Sequence, residues 1–176
     1  MTTQILLAGS GGQGILFAGK FLTYAAMIEN KEVTWYPSYG PEARGGTSNC
    51  SVILSDEPIG APTVLHPDIL VVMNLPSFLK FMPAVRPGGL LIADSSMVSE
   101  ACERGDITAI ALPATQMAYD EQLKGLANII LIGRMLKETG LIAPETIEPA
   151  MKKCIPAGKA AMLALNLKAI SLGFDA

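Results

Sequence analysis

Charge is scarce in this chain. Asp, Glu, Lys and Arg make up 16 % of its 176 residues, against about 25 % in an ordinary soluble domain. Thirteen basic and sixteen acidic residues leave a net charge of -3. The basic side chains stand singly or in pairs such as Lys152-Lys153, never in a run. A nucleic-acid binder needs a basic patch or stripe, so no nucleic-acid partner is expected. Long apolar runs are missing too: Arg134 and Lys137 follow Ile129–Ile132, and no stretch approaches the ~18 apolar residues of a membrane span. The opening residues Met1-Thr2-Thr3-Gln4 lead directly into an apolar strand pattern, with no basic n-region or small-residue cleavage site. The expected compartment is therefore the cytoplasm.

Histidine is reduced to His66, and cysteine to Cys50, Cys102 and Cys154. Iron–sulfur clusters use four cysteines, and structural zinc uses Cys/His pairs at short spacing. Neither pattern is present, so no metal site is expected, and the three cysteines read as ordinary buried or half-buried thiols. There is no Ser–His–Asp or Cys–His arrangement and no GxxxxGK[ST] phosphate loop. His66, beside Pro67-Asp68, reads as a loop residue entering a strand.

Hydrophobic residues are plentiful, at 50 %. That excludes disorder and suits one domain over residues 1–176. Ile5-Leu6-Leu7-Ala8 reads as a buried strand, Ile15–Ile28 as a helix and Glu32–Tyr36 as a second strand. Pro37–Gly46 reads as a polar loop. Thr47–Ser55 alternates, with Cys50, Val52 and Leu54 on one face and Asn49, Ser51 and Ile53 on the other, as a half-buried and antiparallel strand does. Strands follow at Ile69–Met73, Leu90–Ala93 and Ile107–Leu112, with a short helix at Ser77–Ala84. Helices fill the last third, at Ala114–Lys124, Leu126–Glu138, Glu145–Lys153 and Ala157–Ser171. The expected fold class is α/β: a Rossmann-like, doubly wound, mostly parallel sheet with a helical C-terminal third.

Two glycine-rich loops stand out. Gly9, Gly11 and Gly14 satisfy G-x-G-x-x-G between a strand and a helix, the context that gives this pattern meaning. One reading is an anion site, where Gly9, Gly11, Gly12 and Gly14 let backbone N–H groups and a helix N-terminus approach a phosphate or carboxylate. The other is a tight turn for helix–sheet packing. Gln13 is unusual there; its amide suits a ligand or the neighbouring loop. Dinucleotide binding also calls for an acidic residue about 20 positions on, at the end of the second strand. That strand ends in Trp35-Tyr36-Pro37, while Glu29 and Glu32 precede it at the wrong edge. A stand-alone NAD- or FAD-binding oxidoreductase is thus the weaker alternative, and a ligand-free scaffold is a third reading. The second loop carries Tyr39, Glu42 and Arg44 among Gly40, Gly45 and Gly46. Parallel-sheet geometry sets it on the same edge as the first. Arg44 there pairs with Glu42 or grips an external anion, and the loop as a whole also suits docking on another chain. Asp94, at a strand end, either caps the next segment or faces the ligand edge.

The motifs Gly9-Ser10-Gly11-Gly12-Gln13-Gly14 with Ala18-Gly19, and Pro37-Ser38-Tyr39-Gly40-Pro41-Glu42-Ala43-Arg44-Gly45-Gly46-Thr47, together resemble the gamma subunit of 2-oxoacid:ferredoxin oxidoreductases. Ser55-Asp56-Glu57-Pro58-Ile59, Pro67-Asp68, Asn128 and Asn166 extend the resemblance over nearly the whole chain. The wording is most similar to 2-oxoglutarate gamma subunits, with pyruvate, 2-oxoisovalerate and indolepyruvate enzymes as relatives. The resemblance implies a complex that converts a 2-oxoacid and coenzyme A into acyl-CoA, carbon dioxide and reduced ferredoxin. Thiamine diphosphate, Mg2+ and iron–sulfur clusters would lie in partner alpha and beta chains, with a delta chain in some members. This chain would have no catalytic residue. It would serve structure and substrate access, with Gly9, Gly11, Gly12, Gln13, Gly14, Tyr39, Arg44, Gly45 and Gly46 toward coenzyme A or a partner chain. Its low charge is then expected to appear as apolar surface, and the isolated chain as a dimer.

Overall fold

Strand β1 (Thr2–Gly9) is apolar on both sides because it is covered on both sides. Ile5 and Leu7 face one hydrophobic layer, Leu6 and Ala8 the other. Such two-sided burial is what a strand inside a helix-covered sheet requires. The computed structural model describes residues 1–39 and 47–176. Around β1 it builds a six-stranded sheet in the order β2-β3-β1-β4-β5-β6, with β2 at Glu32–Tyr39, β3 at Ser48–Ser55, β4 at Ile69–Val72, β5 at Leu90–Asp94 and β6 at Thr108–Leu112. The β1–β4, β4–β5 and β5–β6 pairs are parallel. The β1–β3 and β3–β2 pairs are antiparallel. The mostly parallel, doubly wound α/β sheet expected from the sequence is thus what forms.

One face is covered by α1 (Ile15–Ile28), α3 (Ala114–Asp120), α4 (Ala127–Thr139), α5 (Pro144–Cys154) and α6 (Ala160–Asp175). The other is covered by α2 (Leu75–Phe81), a 3-10 turn at Met82–Ala84, and side chains such as Val64 and Val98 from irregular segments. No described helix is long and apolar enough to cross a membrane.

Several boundaries differ from the sequence reading. Strand β2 runs through Pro37 to Tyr39 instead of stopping at Tyr36. It lies at the sheet's edge, where a missing N–H is tolerated. Strand β3 is not half-buried: it lies between β2 and β1, and Ile53 is as enclosed as Val52 and Leu54. Helix α2 starts at Leu75, since Asn74 accepts a capping bond from the Ser77 N–H at 2.9 Å and Pro76 fits the first turn. Helix α3 stops at Asp120, not Lys124, because Gln122 takes a left-handed φ of 57° and ends the helical path. Helix α6 begins at Ala160 after a turn through Gly158 at φ 93°.

Helix α4 is buried almost all round, as expected of a helix lying between sheet and outer helix. It meets α6 at two glycines. A Cβ on Gly133 would run into the Ile170 carbonyl, and one on Gly173 into the Ile130 carbonyl. These obstacles are backbone and cannot swing aside. Gly173→Ala is expected to destabilise the fold by about 3 kcal/mol, the upper range for overpacking. Gly105→Ala, whose Cβ meets open space, should stay within about 0.5 kcal/mol. Urea denaturation of the two variants checks the contrast.

Candidate functional site

The register of three strands sets which segments share one edge of the sheet. Gly9 lies opposite Ser48, and Ser48 lies opposite Tyr39. Strands β1 and β2 therefore run the same way and end level, one strand apart. Gly9 and Tyr39 thus close their strands on one edge of the sheet. Arg44, Gly45 and Gly46 lie outside the described residues, as does the side chain of Tyr39.

Inserted β3 also bears on the dinucleotide reading. In a dinucleotide-binding fold the acidic residue sits at the end of the parallel strand beside β1. Here that place is taken by the beginning of an antiparallel strand, and Glu32 sits at the opposite edge, level with Ser55. Glu29 has another role: its carboxylate accepts the Ala143 N–H at 2.7 Å.

The Gly9–Gly14 loop separates into two kinds of glycine. A Cβ on Gly9 would stand 2.6 Å from the Gln13 Oε1 atom. Gly14 has φ 75° and its Cβ would collide with the Asn128 amide. Both are required by packing. Gly12 takes φ 89°, which favours glycine, but faces open space. Gly11 has neither a positive φ nor a neighbour that a Cβ would meet. The fold itself places no demand on it.

Gln13 is committed internally. Its Oε1 accepts the Ser10 N–H at 2.7 Å, and its Nε2 donates to the Met73 carbonyl at 2.9 Å. Asn74 Nδ2 donates to the Ser10 hydroxyl at 2.7 Å. These bonds join the loop after β1 to the loop after β4. That junction is the topological switch point, since α1 packs on one face of the sheet and α2 on the other. Asn128 fastens the loop from below, donating from Nδ2 to the Gly14 carbonyl at 2.9 Å. Helix α1 begins without a side-chain cap and without an acidic residue in its first turn, so its dipole favours negative charge nearby.

Beside the loop opens a crevice of about 650 Å³. Met73, Met97, Ala118 and Ala127 give it an apolar floor; Gln122 and Lys124 stand at its polar side. Its size and lining are those of a small-molecule site. Thr115 lines one wall and is held there by Asp94. This wholly buried carboxylate accepts the Ser96 N–H at 3.1 Å, the Thr115 N–H at 3.2 Å and the Thr115 hydroxyl at 2.5 Å. The sequence reading offers Asp94 as a cap on the segment that follows it; the carboxylate does hold Ser96 there, and it also holds Thr115 in the first turn of α3. The sequence reading missed the crevice. Thr115, Gln122 and Lys124 carry no motif and meet Gly12 only because the chain that follows β6 folds back beside the end of β1.

The cysteines do not converge. Cys50 is buried in β3, Cys102 lies on an irregular segment and Cys154 ends α5. Among the described residues no three metal-ligating side chains group together, and these three scattered thiols do not make the cysteine set that an iron–sulfur cluster needs. Burial pushes the Cys50 thiol up to about 12, against a weaker opposing hydrogen bond with Trp35. Burial likewise pushes Cys154 up to about 11, against the nearby Lys20 charge.

A family model for pyruvate ferredoxin/flavodoxin oxidoreductase matches residues 4–176. The 2-oxoglutarate synthase subunit KorC of Methanocaldococcus jannaschii is 38% identical, over 99% of this chain and 94% of its own length. The ketoisovalerate oxidoreductase subunit VorA of Methanothermobacter thermautotrophicus is 39% identical over 98% of this chain, which spans only 36% of that longer protein. The crystal structure of the keto/oxoacid ferredoxin oxidoreductase gamma subunit from Geobacter sulfurreducens superposes with a TM-score of 0.84 at 31% identity, covering 98% of this chain and 96% of that one.

Two measurements check this geometry. Asp94→Ala removes the cap on α3 and should cost about 1–3 kcal/mol, read by thermal or urea unfolding. Raised cysteine pKa values mean that the unfolded chain ionises first as pH climbs past 9. Their contribution to stability is therefore intact below pH 9 and is lost as pH rises toward about 12 for Cys50. The slope is about 1.4 kcal/mol per pH unit for a fully shifted group. Cys50→Ala should unfold with a shallower loss of stability than the parent between pH 9 and 11.

Proposed function

Because this chain belongs to the pyruvate ferredoxin/flavodoxin oxidoreductase family, and its homologues are gamma subunits of 2-oxoacid:ferredoxin oxidoreductases, we propose that it is the gamma subunit of such a complex and turns its glycine-loop edge toward coenzyme A. The complete enzyme would convert a 2-oxoacid and coenzyme A to acyl-CoA, carbon dioxide and reduced ferredoxin. It would assemble in the cytoplasm with alpha and beta chains, and with a delta chain in some arrangements. Thiamine diphosphate, Mg2+ and iron–sulfur clusters would sit in those partners and supply the decarboxylation and electron transfer. This chain would supply walls and binding groups. The relatives do not separate the substrates: a 2-oxoglutarate enzyme subunit and a ketoisovalerate one stand at 38% and 39% identity.

The observation that carries the ligand role is Gly11. A glycine that neither backbone nor neighbours require leaves room for something outside the chain to approach the backbone. It stands at the uncapped start of α1, which favours a phosphate. Tyr39 ends β2 on this same edge, and Arg44, Gly45 and Gly46 follow it closely in the sequence. Arg44 is the cation to meet a phosphate of coenzyme A. The crevice lined by Met73 and Met97 would extend this site for an apolar arm.

Native purification from the source cells should bring down alpha and beta chains, with 2-oxoacid- and coenzyme A-dependent viologen reduction. In the assembled enzyme, Arg44→Ala should raise the KM for coenzyme A roughly 10- to 100-fold, the worth of a charged hydrogen bond, or weaken assembly. Gly11→Ala should do the same in smaller degree while leaving the unfolding midpoint unchanged. Unchanged KM and unchanged assembly in both variants would refute the role.

A further inference from the structure

Both edges of the sheet are open strands, and they are protected differently. Edge strand β2 carries Glu32 and Pro37, a charge and a proline of the kind that discourage edge-to-edge pairing. Edge strand β6, Thr108-Ala109-Ile110-Ala111-Leu112, carries no charge, no proline and no glycine. The connection before it, residues 95–107, contains no helix, so the face bearing Ala109 and Ala111 is bare at this end and both residues are exposed.

The hydrogen bonds fix which backbone groups are free. Thr108 N–H donates to the Gly89 carbonyl, and Ser95 N–H donates to the Leu112 carbonyl, both at 2.9 Å. Backbone groups of successive residues in a strand point to alternate sides. Thr108, Ile110 and Leu112 therefore turn their N–H and C=O groups toward β5, while Ala109 and Ala111 turn theirs outward. No described residue pairs with them.

We propose that β6 is a self-association surface, pairing antiparallel with β6 of a second copy about a twofold axis at Ile110. The segment is self-complementary about that residue. The axis sets Ala109 opposite Ala111 of the other copy, and both have outward-facing backbone groups. Each such pair exchanges two N–H···O=C bonds, as a hydrogen-bonded antiparallel pair does. Ile110 meets its own copy as the intervening pair without hydrogen bonds, where side chains come closest. Small alanines on the bare face let the two sheets join without a clash. A register displaced by one residue would face outward groups with inward ones, so the parity of the strand selects this family of pairings. The result is one sheet of twelve strands running through two copies. It does not depend on the coenzyme A reading: a chain that bound no coenzyme A would pair in the same way.

Sedimentation of the full-length chain, from about 1 to about 100 µM (roughly the range of weak specific interfaces), tests it. The parent should run as a dimer at the upper end. Ala111→Pro removes an outward N–H that no bond within the chain uses. It should raise the dimer dissociation constant at least 100-fold, with unchanged circular dichroism and unfolding midpoint. Ala109→Lys with Ala111→Lys sets like charges opposite one another and should also give a monomer. Ala109→Glu with Ala111→Lys sets opposite charges across the axis and should restore the dimer. A parent that stays monomeric at about 100 µM, or a dimer that survives Ala111→Pro or the two lysines, would overturn the proposal.

Discussion

The whole edge where β1 and β2 end depends on how the Gly9–Gly14 turn is held. Three side-chain amides do this. Gln13 ties the turn to the exit of β4, Asn74 ties Ser10 to the start of α2, and Asn128 ties Gly14 to the start of α4. Each bond spans a different element, so the turn is fixed against both layers of the fold at once. Neutral amides suit this position, because each offers a donor and an acceptor without adding a charge that would compete with an anionic ligand. Gly9 and Gly14 are the complement of these amides, since any side chain there would displace the Gln13 or Asn128 group. What remains free on the turn is the backbone at Gly11 and Gly12. The clamp thus turns a flexible glycine run into a fixed surface, and preorganisation of that kind lowers the cost of binding.

The layered sheet was legible because Ile5–Ala8 in β1 and Ile69–Val72 in β4 are apolar at every position, and a strand with that pattern must be covered on both faces. The place of β3 was less legible. Its alternation of Cys50, Val52 and Leu54 with Asn49 and Ser51 reads as one wet face, yet insertion between β2 and β1 buries both faces. Local pattern does not report which strand will neighbour which. The same limit hid the crevice. Thr115 and Lys124 acquire meaning only when β6 is set three strands from β1, a placement that no spacing in the sequence encodes. Gln13 illustrates the reverse case. The motif marked it as important, and the structure shows the importance to be internal, in holding the turn. For Arg44, Gly45 and Gly46 the sequence motif remains the source of the assignment.

Low charge also gains a physical meaning. A chain with few ionic side chains has few with which to guard its edges. It spends Glu32 and Pro37 on β2 and leaves β6 bare. Exposed Trp35 and Tyr36 on β2, Met97 and Tyr119 at the crevice, and Met162, Leu165 and Phe174 on α6 fit a chain whose surface is meant to be covered, as the surfaces of obligate assemblies are. The VorA relative, in which the matching part spans 36% of a longer protein, shows this fold as one portion of a larger body.

The central claim is that the edge where β1 and β2 end faces coenzyme A in the assembled enzyme. Backbone hydrogen exchange of the assembled complex, with and without coenzyme A, tests it most directly. The account predicts slower exchange on coenzyme A addition in peptides spanning residues 9–17 and 38–48, with the β6 segment unaffected. Unchanged exchange in both peptides at a coenzyme A concentration that saturates turnover would contradict it.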